Sequence, residues 1–445
     1  MNKNMISFKE FLEETQLNGG IVENLKIIIE KLIQNDTDWF ESKNISVLKK
    51  ERFWILNYNQ TPFKNEFNKL TRGLVVEIPT QDWNGDLLSL VKGFPFIRFF
   101  NHQEPNADHV DISNSEIIEK LDGTFVSVFF LSNDVNQMIF NTRKMISSDS
   151  NDKKRKIQSF NGKKYNFLQL IKNYLSKINF KDLTNTYIFE FIHEATKVVT
   201  EYNPNQYGLY LIGVRNNKTF MEYNEQELDE IAKELNVKRP KRFNAINNLD
   251  IIDQMFKAAS LEQKDFEGFI FRDKKTGNRV KVKDPEYVKK HHKISKSVKP
   301  ILIGVLNGET DELLSYFPIY KDIVLDLKNK IENFIEKTTE EIQKWHKSEL
   351  PKERIIEKLF GKRTISKWEL RLKNLRKEKI SQTKPDHSLD SFIKKLIMYN
   401  LDKPYEGIKQ AVIDELKELQ NSNHLDKILK LIGFTQSVET IETEE

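Results

Sequence analysis

"EGFIFRDKKTGNRVKVKD", residues 267–284, reads as two short strands joined by a turn. "GFIF" and "RVKVK" are rich in β-branched and aromatic residues, and the polar "DKKTGN" between them can reverse the chain. Lys281 and Lys283 stand two residues apart in the second strand, so both project from one face. A hairpin of these strands brings Glu267, at the head of the first, within reach of the lysine pair. Gly268 leaves room for close approach of a ligand or another backbone.

The same texture runs from Arg52 to Ile303. Short β-branched and aromatic runs recur at "RGLVVEI" (Arg72–Ile78), "FVSVFFL" (Phe125–Leu131), "YIFEFIH" (Tyr187–His193) and "LYLIGV" (Leu209–Val214). Helical spacing interrupts them at "NFLQLIKNYLSKI" and "EQELDEIAKELNV". Strands and helices mixed without strict alternation predict an α+β domain built on antiparallel sheet with flanking helices. Before about Asn35 the spacing of Phe8, Phe11, Leu12, Ile21, Leu25 and Ile28 predicts two short amphipathic helices. After about Lys296 the strand signals stop and apolar residues recur at helical spacing. The expected division is therefore residues 1–295 as the α+β domain and 296–445 as an all-helical domain ending in an acidic tail, "SVETIETEE". Between Pro351 and Lys384 twelve Lys or Arg face four Asp or Glu, the clearest basic patch in the chain. Such a run binds nucleic acid or simply forms solvated helix faces.

Composition narrows the function classes. The 445 residues, 38% hydrophobic and 31% charged, describe a soluble globular chain with a densely charged surface. No run of about 18 apolar residues is present to span a bilayer. "MNKNMISFKEFLEETQ" lacks an apolar signal core, so the expected location is cytoplasmic. With no cysteine, disulfides, thiolate metal sites and cysteine nucleophiles are excluded. A net charge of +5 permits nucleic-acid binding without requiring it.

"EKLDGTFVSVFF" (Glu119–Phe130) places Lys120 at the mouth of a strand. An unprotonated lysine there could attack the α-phosphate of a nucleotide, expelling pyrophosphate and keeping the nucleotide as a phosphoramidate. That chemistry needs further cations around the triphosphate, and carboxylates to hold magnesium. The chain supplies Glu190, inside an otherwise apolar strand, then Glu267, Lys281 and Lys283. Lys-x-Asp-Gly alone arises by chance in roughly one Lys-rich chain of this length in ten, so it carries little by itself. The ordered set carries more: "KLDG", "FEF", "EGFIF" and "KVK" each stand at a strand, separated by 70, 77 and 14 residues.

This set resembles the covalent nucleotidyltransferases, the superfamily of ATP-dependent ligases and mRNA-capping enzymes. Within it the chain is most similar to the phage-type RNA ligase 1 family, of the tRNA-repair type. "TRGLVVEI", "PFIRFFNHQE", "FEFIHEATKVVTEY", "LYLIGVRN" and "VKVKDPEYVKKHH" carry the likeness, with "NGETDELLSYF" and "FIKKLIMYNL" extending it into the helical region. The resemblance implies an ATP-dependent RNA ligase that joins a 5′-phosphate to a 3′-hydroxyl through lysyl-AMP and adenylated RNA. It assigns Lys120 as the adenylated lysine, with Asp122 and Gly123 completing that motif. Tyr58, Arg72, Arg98, Phe100, Arg143, Glu190, Glu267, Lys281, Lys283 and Tyr287 would bind the nucleotide. Glu190 and Glu267, and at a separate place Asp311 and Glu312, would hold metal. ATP and Mg2+ are the implied cofactors, with Mn2+ able to substitute. The implied partners are RNA ends of nicked tRNA and a separate end-healing kinase or phosphatase, since no Gly-x-x-x-x-Gly-Lys-Ser/Thr loop is present. The resemblance further implies a monomer and no membrane.

Three departures stand out. Leu121 replaces a usual polar residue, and Arg98 and Arg143 replace usual lysines, exchanging a point donor for a planar fork. The chain also carries a basic, Trp-containing insert between about Trp345 and Asp386. The histidines read most economically as surface or core residues, with His291 and His292, in "KKHHK", as candidates to face RNA. A DNA ligase or capping enzyme shares the lysine chemistry but continues into an all-β domain, whereas this tail reads as helical. A non-catalytic RNA-binding protein explains the basic tail but not the acids and lysines at strand positions.

Overall fold

The computed structural model describes residues 8–59, 64–158, 163–292, 298–346, 405–422 and 424–434. The insert from residue 347 onward, "FIKKLIMYNL" and the acidic tail lie outside the described residues. The chain divides into two compact units, Met1–His291 and His292–Glu445.

Among the described residues of the first unit the strands form three sheets and a hairpin. One sheet has the order β1 (Ile45–Lys50), β2 (Phe53–Tyr58), β3 (Arg72–Glu77), β4 (Val91–Gly93). A second runs β12 (Gly208–Asn216), β11 (Asn185–Ile192), β7 (Thr124–Phe130), β8 (Met138–Asn141). The third runs β13 (Arg242–Phe243), β6 (Ser115–Glu119), β14 (Gly268–Asp273), β15 (Arg279–Lys283), β5 (Phe100–Asn101). The hairpin is β9 (Lys156–Gln158) with β10 (Lys164–Asn166). Among the described strands every pairing is antiparallel except β15 with β5, which is parallel. The α+β architecture read from the sequence is the one observed.

Alternation explains how the sheets are covered. On β11, Tyr187, Phe189 and Phe191 turn one way and pack with Val126 and Val128 of β7 and with Phe167, Leu168, Ile171 and Leu175 of the helix Phe167–Leu175. Ile188, on the opposite face, packs with Phe96 and Phe125, and Glu190 shares that face. On the third sheet Phe269, Phe271, Val280 and Val282 pack with Phe256 and Ala259 of the helix Ile252–Glu262, leaving Lys281 and Lys283 on the other face.

Buried charge joins the second and third sheets. Glu222 is ringed by Arg215 of β12 (2.8 Å), Arg272 of β14 (3.8 Å) and Arg279 of β15. Burial alone would raise its carboxyl pKa, but the three guanidinium groups pull it down to about 2. Removing the glutamate would leave three buried arginines short of a partner, so the cluster holds the sheets at a set separation.

The expectation of two short N-terminal helices is corrected to one, Phe8–Ile33. Gly19 and Gly20 each cost about 1 kcal/mol in a helix. Beyond them Ile21, Leu25, Ile28, Ile29 and Leu32 are buried against Leu74, Val76 and Phe94 of the first sheet's core. At ~1.5–3 kcal/mol for each buried side chain, that stripe outweighs the two glycines.

The second unit is helical among its described residues: Val298–Leu306, Thr310–Tyr316, Lys321–His346, Tyr405–Asn421 and Leu425–Leu431. Its core gathers Leu302, Leu313, Ile323, Val324, Leu327, Ile408, Val412 and Ile428. No described helix of either unit is long and apolar enough to cross a membrane.

Candidate active site

Lys120 lies where the chain leaves β6 of the third sheet for β7 of the second, so it stands at the junction of the two. Its backbone N–H donates to the Gly268 carbonyl at 2.8 Å, and its Nζ lies 2.7 Å from Glu267 Oε1. Gly123 permits the crossover, because a Cβ there would come within 2.6 Å of the Phe191 carbonyl and 3.2 Å of Glu190 Cγ. β11 can therefore bring Glu190 against the lysine turn.

Asp122 secures the turn from the other side. Its Oδ2 accepts the backbone N–H groups of Val199 (2.9 Å) and Thr200 (2.8 Å), and its own N–H donates to the Tyr202 hydroxyl at 2.9 Å. Burial, reinforced by Glu267 and Asp122, drives the Tyr287 phenol far above its usual range and keeps it a donor. Asp122→Ala should destabilise the protein by on the order of 3 kcal/mol, because two N–H groups lose a charged acceptor. Denaturant unfolding measures this, and Asp122→Asn, which keeps an oxygen in place, should lose less.

The two carboxylates respond to burial. Glu190 is raised to about 7, chiefly by desolvation, with Lys120 and Arg72 opposing the shift and Glu267 and Asp122 adding to it. Desolvation also raises Glu267, which is 5% exposed, against the pull of Lys120 and Lys283. Acids so placed among lysines gain from a divalent cation, which favours their charged forms. The donor set therefore fits Mg2+ or Mn2+.

The lysine pair is placed by the hairpin that the sequence predicts. Lys283 pairs with Gly268 and Lys281 with Ile270 across β14 and β15. β5 pairs with β15 at Val280 and Lys281, so Lys281 is not an edge-strand lysine, and Lys283 is buried.

A second group of cations surrounds Tyr58 at the end of β2. The Arg98 guanidinium lies 4.0 Å from the Tyr58 ring and 4.4 Å from the Phe100 ring, and the Arg143 guanidinium lies 4.7 Å from Tyr58. Arg72 lies over Phe125 at 5.2 Å. Here the exchange of lysine for arginine acquires a reason, since planar guanidinium groups stack on the aromatic faces while their edges remain donors. Burial would raise the Tyr58 phenol, but Arg143, Arg72, Lys281 and Arg98 together lower it to about 8.

Thirteen of the fifteen residues assigned from sequence thus stand on strands, turns or a helix of the first unit, converging on Lys120 and on Tyr58. Asp311 and Glu312 belong to the second unit, on Thr310–Tyr316, where Glu312 lies 3.4 Å from His292 Nε2 and Glu309 lies 3.6 Å from Nδ1. Of the two candidates to face RNA, His292 is instead a core residue, its side chain buried between these two carboxylates. The His291 ring stacks on Tyr287, with centroids 6.0 Å apart. Sequence reasoning missed Tyr202. It stands in one of the segments that carry the resemblance, but its spacing does not link it to a turn eighty residues away.

Residues 70–287 match the family model described as RNA ligase, of the phage-type RNA ligase 1 kind. A curated relative, the "Putative bifunctional polynucleotide kinase/RNA ligase" of Autographa californica nuclear polyhedrosis virus, is 24% identical over 257 residues. The alignment covers 54% of this chain and 35% of that protein, so the chain spans about a third of the relative's length. Among solved structures, an archaeal ATP-dependent RNA ligase overlays with a TM-score of 0.36 at 13% identity, covering 61% of this chain and 64% of that one. The Naegleria gruberi RNA ligase with PPi overlays with a TM-score of 0.28 at 15% identity, covering 49% and 66%. Both overlays are partial.

Proposed function

We propose, from the premise that residues 70–287 belong to the phage-type RNA ligase family, that this ligase joins RNA ends using ATP and a covalent lysyl-AMP. The observation that carries the reading is Lys120 at a sheet junction, 2.7 Å from Glu267, with Glu190 and Lys283 around it and Lys281 on the same strand face as Lys283.

In the first step the Lys120 Nζ lone pair attacks the α-phosphorus of ATP. The P–N bond forms, the bond to the bridging oxygen breaks, and its electron pair leaves with pyrophosphate. Glu267 is placed to accept the proton that Nζ must lose. Lys281 and Lys283 would neutralise charge at the α-phosphate, and Arg72, Arg98 and Arg143 would hold the outer phosphates. Glu190 and Glu267 would hold Mg2+, which would shield the phosphates and stabilise the leaving charge. AMP would then pass to the RNA 5′-phosphate, and the 3′-hydroxyl of the second end would displace it.

The resemblance supports nicked tRNA as the substrate, and a monomer working in the cytoplasm. End healing is assigned to an activity outside residues 1–445, because these residues hold no phosphate-cradling Gly-rich loop of the kinase type. Joining of a labelled 5′-phosphorylated RNA with ATP and Mg2+, set against the DNA strand of the same sequence, tests the reading. RNA joined in preference supports it, whereas DNA joined in preference favours a DNA ligase.

Tyr58 adds a pH dependence. Above about pH 8 the phenol becomes a phenolate and puts a negative charge among four cations, so KM for ATP should rise through that pH. Tyr58→Phe should abolish the inflection. Initial rates of AMP uptake between pH 7 and pH 9.5 measure it, and a wild-type KM flat over that range would contradict the role given to Tyr58.

A further inference from the structure

Two buried asparagines outside the reacting groups close a ring through the arginines. Asn57, the last but one residue of β2, is the register partner of Arg72 on β3. Its Nδ2 donates to the Arg143 carbonyl, and its Oδ1 accepts from Arg143 Nε at 3.4 Å. Asn141, the last residue of β8, is wholly buried. Its Nδ2 donates to the Gly73 carbonyl at 3.3 Å and to the Thr142 carbonyl at 3.0 Å, while its Oδ1 accepts from the Ser127 hydroxyl. The path therefore runs from Asn57 to Arg143, through Thr142 to Asn141, across to Gly73, and through Arg72 back to Asn57.

We infer that Asn57 and Asn141 are positioning residues, whose carboxamides set the separation of Arg72 and Arg143 and so fit the site to the outer phosphates of ATP. This deepens the ligase reading and rests on it. The chemistry of the side chain supports the assignment. Each amide has two donors and an acceptor on one rigid plane, so it can tie a carbonyl of one segment to a group of another. A carboxylate at 141 would turn acceptors toward two carbonyl oxygens, and an alkyl group would leave both without this donor. The ring also joins two sheets: β2 and β3 belong to the first, β7 and β8 to the second. Neither strand could fix the arginine spacing alone. Arg72 and Arg143 each touch an aromatic ring as well, and those contacts orient the planes without setting the distance between them.

The consequence falls on one step. Only uptake of AMP from ATP involves the outer phosphates, whereas sealing of RNA already carrying a 5′-adenylate does not. A displacement of about 1 Å at a positioned group can cost on the order of 10²-fold, so Asn141→Ala and Asn57→Ala should each lower kcat/KM for AMP uptake by ~10- to 100-fold, mainly through KM for ATP. Sealing of pre-adenylated RNA should stay within about 3-fold of wild type, below the factor of 10 that 1.4 kcal/mol represents. Inorganic pyrophosphate binding, followed by calorimetry, should weaken in parallel and reports the spacing without turnover. If Asn141→Ala does not fold, Asn57→Ala carries the test, because it breaks the same ring at its other amide. Equal losses in both reactions, or AMP uptake and pyrophosphate affinity both unchanged, would overturn the inference. Wild-type protein that binds pyrophosphate but never takes up AMP would overturn the ligase reading instead.

Discussion

Lys120→Arg should take up no measurable AMP from ATP, a loss on the order of 10⁴-fold or more, the scale on which removal of a nucleophile acts. Arginine is the informative substitution. Glu267 is buried and paired with Lys120 at 2.7 Å, so alanine would strand a carboxylate and confuse chemistry with stability. The guanidinium keeps the positive charge beside Glu267 but does not lose its proton at working pH, so it cannot attack phosphorus. The variant should therefore melt close to wild type while its covalent labelling disappears. Labelling that persists in Lys120→Arg would move the nucleophile elsewhere.

Gly268→Ala should have the second-largest effect, here on the fold of the site as well as its rate. Gly268 has φ +149°, and a Cβ there would lie 2.3 Å from the Val282 carbonyl oxygen and 2.7 Å from Lys283 Cα. Both contacts are with backbone, so no side chain can swing aside. The new methyl must push β14 from β15, which moves Lys283 and the carbonyl that holds the Lys120 N–H. A loss of at least ~3 kcal/mol in urea unfolding is expected, from strain at a backbone conformation open to glycine plus the clash. AMP uptake should fall with it. A variant with an unchanged unfolding midpoint would show that the two strands are not held so closely.

Much of this site is legible in the sequence because strand periodicity is local. In "GFIFRD" and "RVKVK" the turn and the alternation together place Lys281 and Lys283 on the face away from Phe269 and Val282, and the structure pairs them so. Glu190 is conspicuous for the same reason, as a carboxylate between two phenylalanines in a buried strand. What the sequence hides is pairing over long separations. Asn57 with Arg143, Asn141 with Gly73, and Tyr202 with the Asp122 turn all join residues on different sheets or loops, and no period links them. The ring of arginines around Glu222 is hidden likewise, since Arg215, Arg272 and Arg279 stand on three strands of two sheets. The single N-terminal helix is hidden for a different reason: a glycine pair costs helix stability locally, and the buried stripe beyond it that outweighs the cost is a tertiary contact.

Lys120 should become covalently bound to AMP. Incubation of the full chain with α-labelled ATP and Mg2+, denaturation, and proteolytic mapping of the labelled peptide tests it directly. An acid-labile label on Lys120, removed when pyrophosphate is added, is the expected result. Folded protein, free of AMP beforehand, that acquires no label or carries it on another residue would contradict the account.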